Sequence, residues 1–230
     1  MIILDTCSKC YGHRTVLDSV HLTIKAGSRV AVLGGNGAGK TTLLYLISAL
    51  TRPTSGSVML NGHSVADDPE ITRRMVGLLA HQPGLYLDLT ARENLIFYSR
   101  LYGLKHPVRR VDEMLELVGL MQHCERMVRE FSRGMMQRLA IAKALLHRPL
   151  VLLLDEPLTG LDAGARRILI DLLHQPQLRQ TTVLFTTHHI EFAIQEAERL
   201  LVLKSKQIII DQPVHQVAVK ELQHLLEVPV

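Results

Sequence analysis

Hydrophobic and polar positions change rhythm three times along this chain. Over residues 1–26 short alternating runs predict strand, turn, strand: Ile2 to Lys9, a turn at Tyr11-Gly12-His13, then Leu17 to Ile24 and a break at Ala26-Gly27. A short apolar strand, Arg29 to Leu33, and an amphipathic helix, Thr42 to Leu50, come next. Pro53-Thr54-Ser55-Gly56 is a turn feeding the strand Ser57 to Leu60, which Asn61-Gly62 ends, and Val76 to Leu79 is another short apolar strand. Between 90 and 147 the period lengthens to that of helices. Thr90-Ala91-Arg92-Glu93 spells a capping box ahead of Asn94 to Tyr102, and Val108 to Val118 and Arg133 to His147 follow with helical spacing. From Leu150 strands and helices alternate: Leu150 to Leu154, helix Ala163 to Leu173, Thr182 to Thr186, helix Ile190 to Glu198. A hairpin (Leu200 to Leu203, Gln207 to Ile210) and one amphipathic helix, Val214 to Leu226, complete the prediction.

The pattern implies one α/β domain over 1–230. Its core, 1–89 and 148–230, holds a mostly parallel sheet with a small antiparallel β subdomain, and 90–147 is an inserted helical subdomain. No internal repeat or low-complexity tract interrupts it.

The chemistry starts between the third strand and its helix. Gly34, Gly35, Asn36, Gly37, Ala38, Gly39, Lys40 and Thr41 fit G-x-x-x-x-G-K-[ST], the phosphate-binding loop, in its required strand-before, helix-after context. Glycines let backbone N–H groups curl around phosphate oxygens, and the following helix, with Thr42 in its first turn, turns its positive end to the same anion. Lys40 would reach the β- and γ-phosphates of a nucleotide, and the Thr41 hydroxyl would hold Mg²⁺. Far downstream, the apolar run Leu152-Leu153-Leu154 ends in Asp155-Glu156. A buried strand ending in two carboxylates is what a phosphate-loop ATPase needs opposite the loop: Asp155 for Mg²⁺, Glu156 to polarise the attacking water.

Composition narrows the alternatives. The chain has 47% apolar and 21% charged residues, ordinary for a globular domain. With no tryptophan, few aromatics and a net charge of only +4 spread over separated basic pairs, it lacks the footprint of a nucleic-acid binder. No apolar run approaches the roughly 20 residues that span a bilayer. The N-terminus shows neither the charged nor the apolar region of a secretory signal, so the expectation is a cytosolic chain whose membrane role comes through a partner. Cys7-Ser8-Lys9-Cys10 spells C-x-x-C, but a zinc site wants a second pair and haem attachment wants His where Tyr11 stands. The pair reads as structural.

The order of phosphate loop, Gln82, a Ser-Arg-Gly element, Asp155-Glu156, Asp162 and His188 resembles the ATPases of ATP-binding cassette (ABC) transporters, over essentially the whole chain. The resemblance implies an ABC ATPase fold, ATP and Mg²⁺ as cofactors, and roles for particular residues. Tyr11 stands where the family stacks an aromatic on adenine. Gln82 matches the glutamine that touches metal and attacking water and links core to helical subdomain. Asp162, in Thr159-Gly160-Leu161-Asp162, matches the loop that communicates with a second subunit, and His188 matches the switch histidine that contacts the γ-phosphate. The family's Leu-Ser-Gly-Gly-Gln signature reads Phe131-Ser132-Arg133-Gly134-Met135 here. Ser132 and Gly134 keep the hydroxyl and the close backbone that reach the partner's γ-phosphate; Arg133 adds a charge and Met135 removes an amide.

That variant, with Leu89 to Tyr98 and Leu101-Tyr102-Gly103-Leu104, is similar to the ATPase subunit of the cytochrome c maturation system, the haem exporter. The resemblance implies a homodimer sandwiching two ATP, peripheral at the cytoplasmic face of the inner membrane, with integral membrane subunits docked on the helical subdomain near Gly84 to Tyr102. No direct haem binding is expected, because the twelve histidines are scattered. Other single-cassette exporters, of drug or lipid-like cargo, share much of the Thr90-to-Leu95 stretch and remain the alternative. A soluble nucleic-acid or ribosome-associated ATPase is the third reading, against which stand the single loop and the absence of sustained heptads.

Overall fold

A computed structural model describes residues 1–227. Two sheets face each other across the helix that follows the phosphate loop. The first is antiparallel and four-stranded, in the order β2 (Arg14–Ile24), β1 (Ile2–Tyr11), β4 (Ser55–Leu60), β5 (His63–Ser64). The second has six strands, β10 (Gln207–Pro213), β9 (Arg199–Lys204), β3 (Arg29–Leu33), β8 (Thr182–Thr186), β7 (Val151–Leu154), β6 (Val76–Leu79). All its pairings are parallel except the β9–β10 hairpin. Parallel strands buried on both faces need continuous apolar runs, and β7 (Val-Leu-Leu-Leu) and β8 are buried at every position. This is the mostly parallel sheet with a small antiparallel subdomain expected above.

Eight helices complete the described residues: α1 (Lys40–Ile47), α2 (Pro69–Met75), α3 (Ala91–Leu101), α4 (Pro107–Leu117), α5 (Arg133–Leu145), α6 (Ala163–Leu173), α7 (Ile190–Glu196) and α8 (Val219–Glu227), besides short 3-10 turns. The capping box at α3 is formed in both directions: Glu93 N–H donates to Thr90 Oγ1 at 3.1 Å, and Thr90 N–H to Glu93 Oε2 at 2.8 Å. Between β6 and β7 the described residues contribute only one isolated bridge, Thr90 with Met127, to any strand pairing. These helices do not pack by themselves. Leu95, Leu115 and Leu139 belong to one buried cluster with Leu152, Leu172 and Phe185, so the parallel sheet and the helical stretch share an apolar core. A second cluster joins the antiparallel sheet to α1 through Leu4, Leu22, Leu43 and Ile47.

Two expectations are corrected, and one helix is unforeseen. Tyr11 is not in the turn but is the last residue of β1, paired with Arg14, which leaves Gly12-His13 to reverse the chain. The single C-terminal helix is two pieces, a 3-10 turn at Val214–Gln216 and α8. Between them Val217 is extended (φ −83°, ψ 123°), as β-branched residues prefer, and the helix restarts beyond it. Helix α2, seven residues long and opened by Pro69, is hidden in the sequence by its polar run Pro-Glu-Ile-Thr-Arg-Arg-Met.

Candidate active site

Strand β3 delivers the chain to the loop with Gly34 pressed against β9. A Cβ there would lie 2.5 Å from the Leu203 carbonyl oxygen, so only glycine lets the loop start so close to the sheet. The loop ends at Gly39 (φ 107°), the N-cap of α1, which leaves the first N–H groups of that helix free to face an anion. Lys40, almost fully buried, folds back over the loop. Its Nζ donates to the Gly34 carbonyl at 2.8 Å and the Gly35 carbonyl at 3.2 Å, and lies 3.5 Å from Glu156 Oε1.

Strand β7 carries the carboxylates to the same place because β7, β8 and β3 are parallel neighbours and end on one side. Asp155, 3% exposed, accepts from Thr41 Oγ1 at 2.8 Å and from Thr186 Oγ1 at 2.7 Å. Thr186 in turn accepts from the Glu156 N–H at 2.8 Å, so one β8 hydroxyl aligns both acids. The Glu156 backbone is left-handed (φ 48°), an uncommon state for a residue with a Cβ, and it turns the carboxylate out of the strand toward the loop. There Oε2 meets His188 Nδ1 at 2.9 Å. A cavity of about 430 Å³ opens over these groups, lined by Asn36 through Thr42, Glu156 and His188.

Sequence reasoning missed four residues of this cavity: Arg14 and Val16 of β2, His81 and Thr159. Only His81 and Thr159 had a signal, as neighbours of Gln82 and Asp162; the β2 residues are brought in by the packing of the antiparallel sheet. Five expected residues stand apart from the cavity. Gln82 is exposed beside His81. Tyr11 is exposed, with Lys9 Nζ 4.9 Å from its ring centroid. Ser132 caps α5, accepting from Met135 N–H at 3.3 Å, and Asp162 caps α6, accepting from Ala165 N–H at 2.8 Å. Gly134 packs toward Ala165, and the Arg133 guanidinium lies over Gly160. The signature and the Asp162 loop thus form one surface of their own, tied to the catalytic strand by Gln137 Nε2 donating to the Pro157 carbonyl at 3.0 Å.

The oxygens of Thr41 and Asp155 are hard donors side by side, a set that fits Mg²⁺. Among the described residues no cluster of three or more His, Cys, Asp or Glu could cage a metal, which suits an ion completed by phosphate oxygens and water.

A glycine-rich loop on a helix N-terminus, with a buried lysine and two strand-end carboxylates, defines a phosphate-loop ATPase. The family is narrower still: residues 17–159 match the family model described as "ABC transporter", and the chain belongs to that family. A second model, described as "AAA domain, putative AbiEii toxin, Type IV TA system", matches residues 125–194. Among curated proteins, the ABC transporter ATP-binding protein NatA of Bacillus subtilis is 36% identical over 91% of this chain and 88% of its own length. The bacitracin transport ATP-binding protein BcrA of Bacillus licheniformis is 38% identical over 84% of the chain, which spans 62% of that protein. The daunorubicin resistance ATP-binding protein DrrA3 of Streptomyces coeruleorubidus is 39% identical over 90% of the chain and 66% of its own length. A solved dimeric ATP-binding cassette in a post-hydrolysis state with ADP and Pi superposes with a TM-score of 0.84 at 30% identity, over 93% of this chain and 99% of that one. The protein is an ABC ATPase, an enzyme that binds and hydrolyses ATP.

Proposed function

We propose that this ATPase is the motor subunit of a single-cassette membrane exporter, acting as a homodimer that closes on two ATP molecules. The observation that carries the proposal is the convergence of Lys40, Thr41, Glu156 and His188 on one cavity, with Asp155 buried behind Thr41 and bonded to it. Lys40 and the loop amides bind the phosphates, with Thr42 beside them. Thr41 and Asp155, assisted by Gln82, hold Mg²⁺, which supplies charge neutralisation to the leaving phosphates. Glu156 polarises the attacking water. His188, bonded to Glu156, keeps that carboxylate aimed and contacts the γ-phosphate. Phosphoryl transfer to water then needs positioning and electrostatics more than covalent chemistry.

Ser132, Gly134 and Asp162 fit a site completed by a second copy. They line no part of their own chain's cavity, yet Ser132 and Gly134 sit exposed or half-exposed at the open start of a helix. The dimeric cassettes among the structural relatives support this arrangement. Tyr11 is the adenine-stacking candidate. Its exposure leaves a ring face free. The helical subdomain, 90–147, and the segment leading into it offer Tyr86, Leu87, Phe97 and Leu101 at the surface as the place for membrane subunits, which puts the protein peripherally at the cytoplasmic face. No helix among the described residues is long and apolar enough to cross a membrane.

For the cargo, relatives named for bacitracin transport, daunorubicin resistance and Nod factor export favour a drug or lipid-like molecule over haem. The cytochrome c maturation reading rests on the variant signature Phe131 to Met135. One experiment separates them: in the native host, replace Lys40 with Ala, stain membrane proteins for covalent haem and measure sensitivity to amphiphilic antibiotics. Increased sensitivity with normal c-type cytochromes supports drug or lipid export; loss of all c-type cytochromes with unchanged expression overturns it for the maturation system.

A further inference from the structure

We propose that Lys143 is a positioning residue of the ATPase reaction, a clamp that fixes the segment leading from His81 and Gln82 to the helical subdomain. The inference rests on the ATPase assignment and adds a residue to it. Lys143 lies near the end of α5, the helix that Ser132 caps. Its Nζ donates to the Pro83 carbonyl and, at 3.3 Å, to the Gly84 carbonyl. The ammonium lies 5.0 Å from the Tyr98 ring centroid, and the Tyr98 hydroxyl donates to that same Gly84 carbonyl at 2.5 Å.

No carboxylate of the described residues forms an ion pair with Lys143. Burial pushes its pKa down to about 8, the consequence of holding a cation in a poorly solvated place. Such a cation is tolerated when dipoles and a ring face replace its water, which is what Pro83, Gly84 and Tyr98 supply. A lysine serving only to fill space between α5 and α3 would be replaced by any apolar side chain without that penalty. The cost is therefore attached to a specific grip on two main-chain carbonyls.

What it grips is a short bridge. At one end, Asp155 N–H donates to the Leu79 carbonyl at 2.8 Å, fixing the end of β6 to the catalytic strand. At the other, the buried Asn94 side chain accepts from Tyr86 N–H at 2.8 Å and donates to the Tyr86 carbonyl at 2.9 Å. Between these anchors, among the described residues, neither His81 nor Gln82 has a side-chain hydrogen bond, although His81 lines the nucleotide cavity. Lys143 and Tyr98 thus set where the stretch 80–82, with His81 and Gln82 exposed, must end and how far it reaches. A shift of α5 or α3 moves Pro83 and Gly84 with it, and the displacement arrives at His81 and Gln82.

The test compares Lys143→Met, which keeps the stem and removes the donors, with Lys143→Arg, which keeps a cation. Purified chains are assayed for ATP hydrolysis and for amide hydrogen exchange. We expect the Met variant to exchange faster over 80–86 while the amides of α5 stay protected, with kcat down about tenfold and KM for ATP within about twofold of wild type. The Arg variant should recover most of both. An unchanged kcat in Lys143→Met, or exchange raised throughout α5 in step with activity, overturns the clamp and leaves only a packing role. Were the wild-type chain to hydrolyse no ATP, the ATPase assignment would fail, while unchanged exchange over 80–86 would still overturn the clamp on its own.

Discussion

Thr41 Oγ1 and Asp155 Oδ2 are hydrogen-bonded at 2.8 Å across 114 residues of sequence. The first belongs to the helix after the phosphate loop, the second to the end of β7, and the bond closes the space between two strands that β8 separates. Two hard oxygens are thereby held together before any ion arrives. Thr41→Val should therefore raise the Mg²⁺ concentration for half-maximal ATPase activity at least about tenfold, while Thr41→Ser leaves it near wild type. Titrating Mg²⁺ at saturating ATP measures it; identical half-saturation in the Val variant would remove Thr41 from the metal's environment.

Glu156 makes the second prediction. Its carboxylate touches Lys40 and His188 at once, and its left-handed backbone has no packing explanation apart from aiming that group into the cavity. Glu156→Gln keeps the shape and removes the charge. Turnover should fall by about 10²–10⁴-fold, and ATP-induced dimers should persist long enough to separate by size exclusion. Hydrolysis at the wild-type rate would sink the role given to this residue.

Both residues are legible in the sequence because their signals are local: a loop motif with its strand and helix, and an apolar run that stops at two acids. Gly34 through Thr41 need no tertiary information. Arg14 and Val16 do, since they reach the cavity only through the docking of the antiparallel sheet. Tyr11 and Gln82 mark the reverse case. They are found by resemblance, and within one chain they lie outside the cavity lining that their roles imply. The break in the C-terminal helix is illegible for a physical reason: Val214 to Leu226 has amphipathic periodicity, but periodicity is blind to a single extended residue such as Val217.

His147 gives a pH dependence unrelated to catalysis. Its Nε2 faces the Val76 carbonyl at 3.1 Å, its ring stacks on Tyr102 at 4.0 Å, and its Nδ1 is buried without a partner. Burial, helped by nearby Arg110, pushes its pKa down from 6.5 to about 4. The unfolded chain therefore takes up this proton near pH 6.5 and the folded chain only near 4. Above pH 6.5 the group is neutral in both states and costs nothing. Stability should fall as pH drops from 6.5 toward 4, with about 2–3 kcal/mol attributable to this histidine at pH 4.5. Urea unfolding of wild type and His147→Phe at pH 7.5 and 4.5 checks it: the acid loss should be smaller in the Phe variant, and equal losses would mean that His147 is solvated enough to charge.

Gly77 is the position where one added methyl group should do most damage. It sits in the middle of β6, paired with Leu152 of β7 and covered by α5. A Cβ there would lie 2.1 Å from the Ala144 carbonyl oxygen and 2.9 Å from Pro149 Cγ. Neither neighbour can swing away, because the first is helix backbone and the second a ring at the entry to β7. The helix itself must move off the sheet, which should cost about 3 kcal/mol or more in Gly77→Ala. Gly12 supplies the control: it lies at φ 57° and an added Cβ would meet nothing within 4 Å, so Gly12→Ala should cost only about 1 kcal/mol of backbone strain. The two variants separate steric from conformational effects in one denaturant series. Gly77→Ala should also lower kcat beyond its loss of folded protein, since Ala144 adjoins Lys143 and a displaced α5 draws the ammonium away from Pro83 and Gly84. A variant with wild-type stability would mean that α5 rides further from β6 than the close contact at Ala144 implies, and the path from that helix to the nucleotide cavity would lose its rigid end.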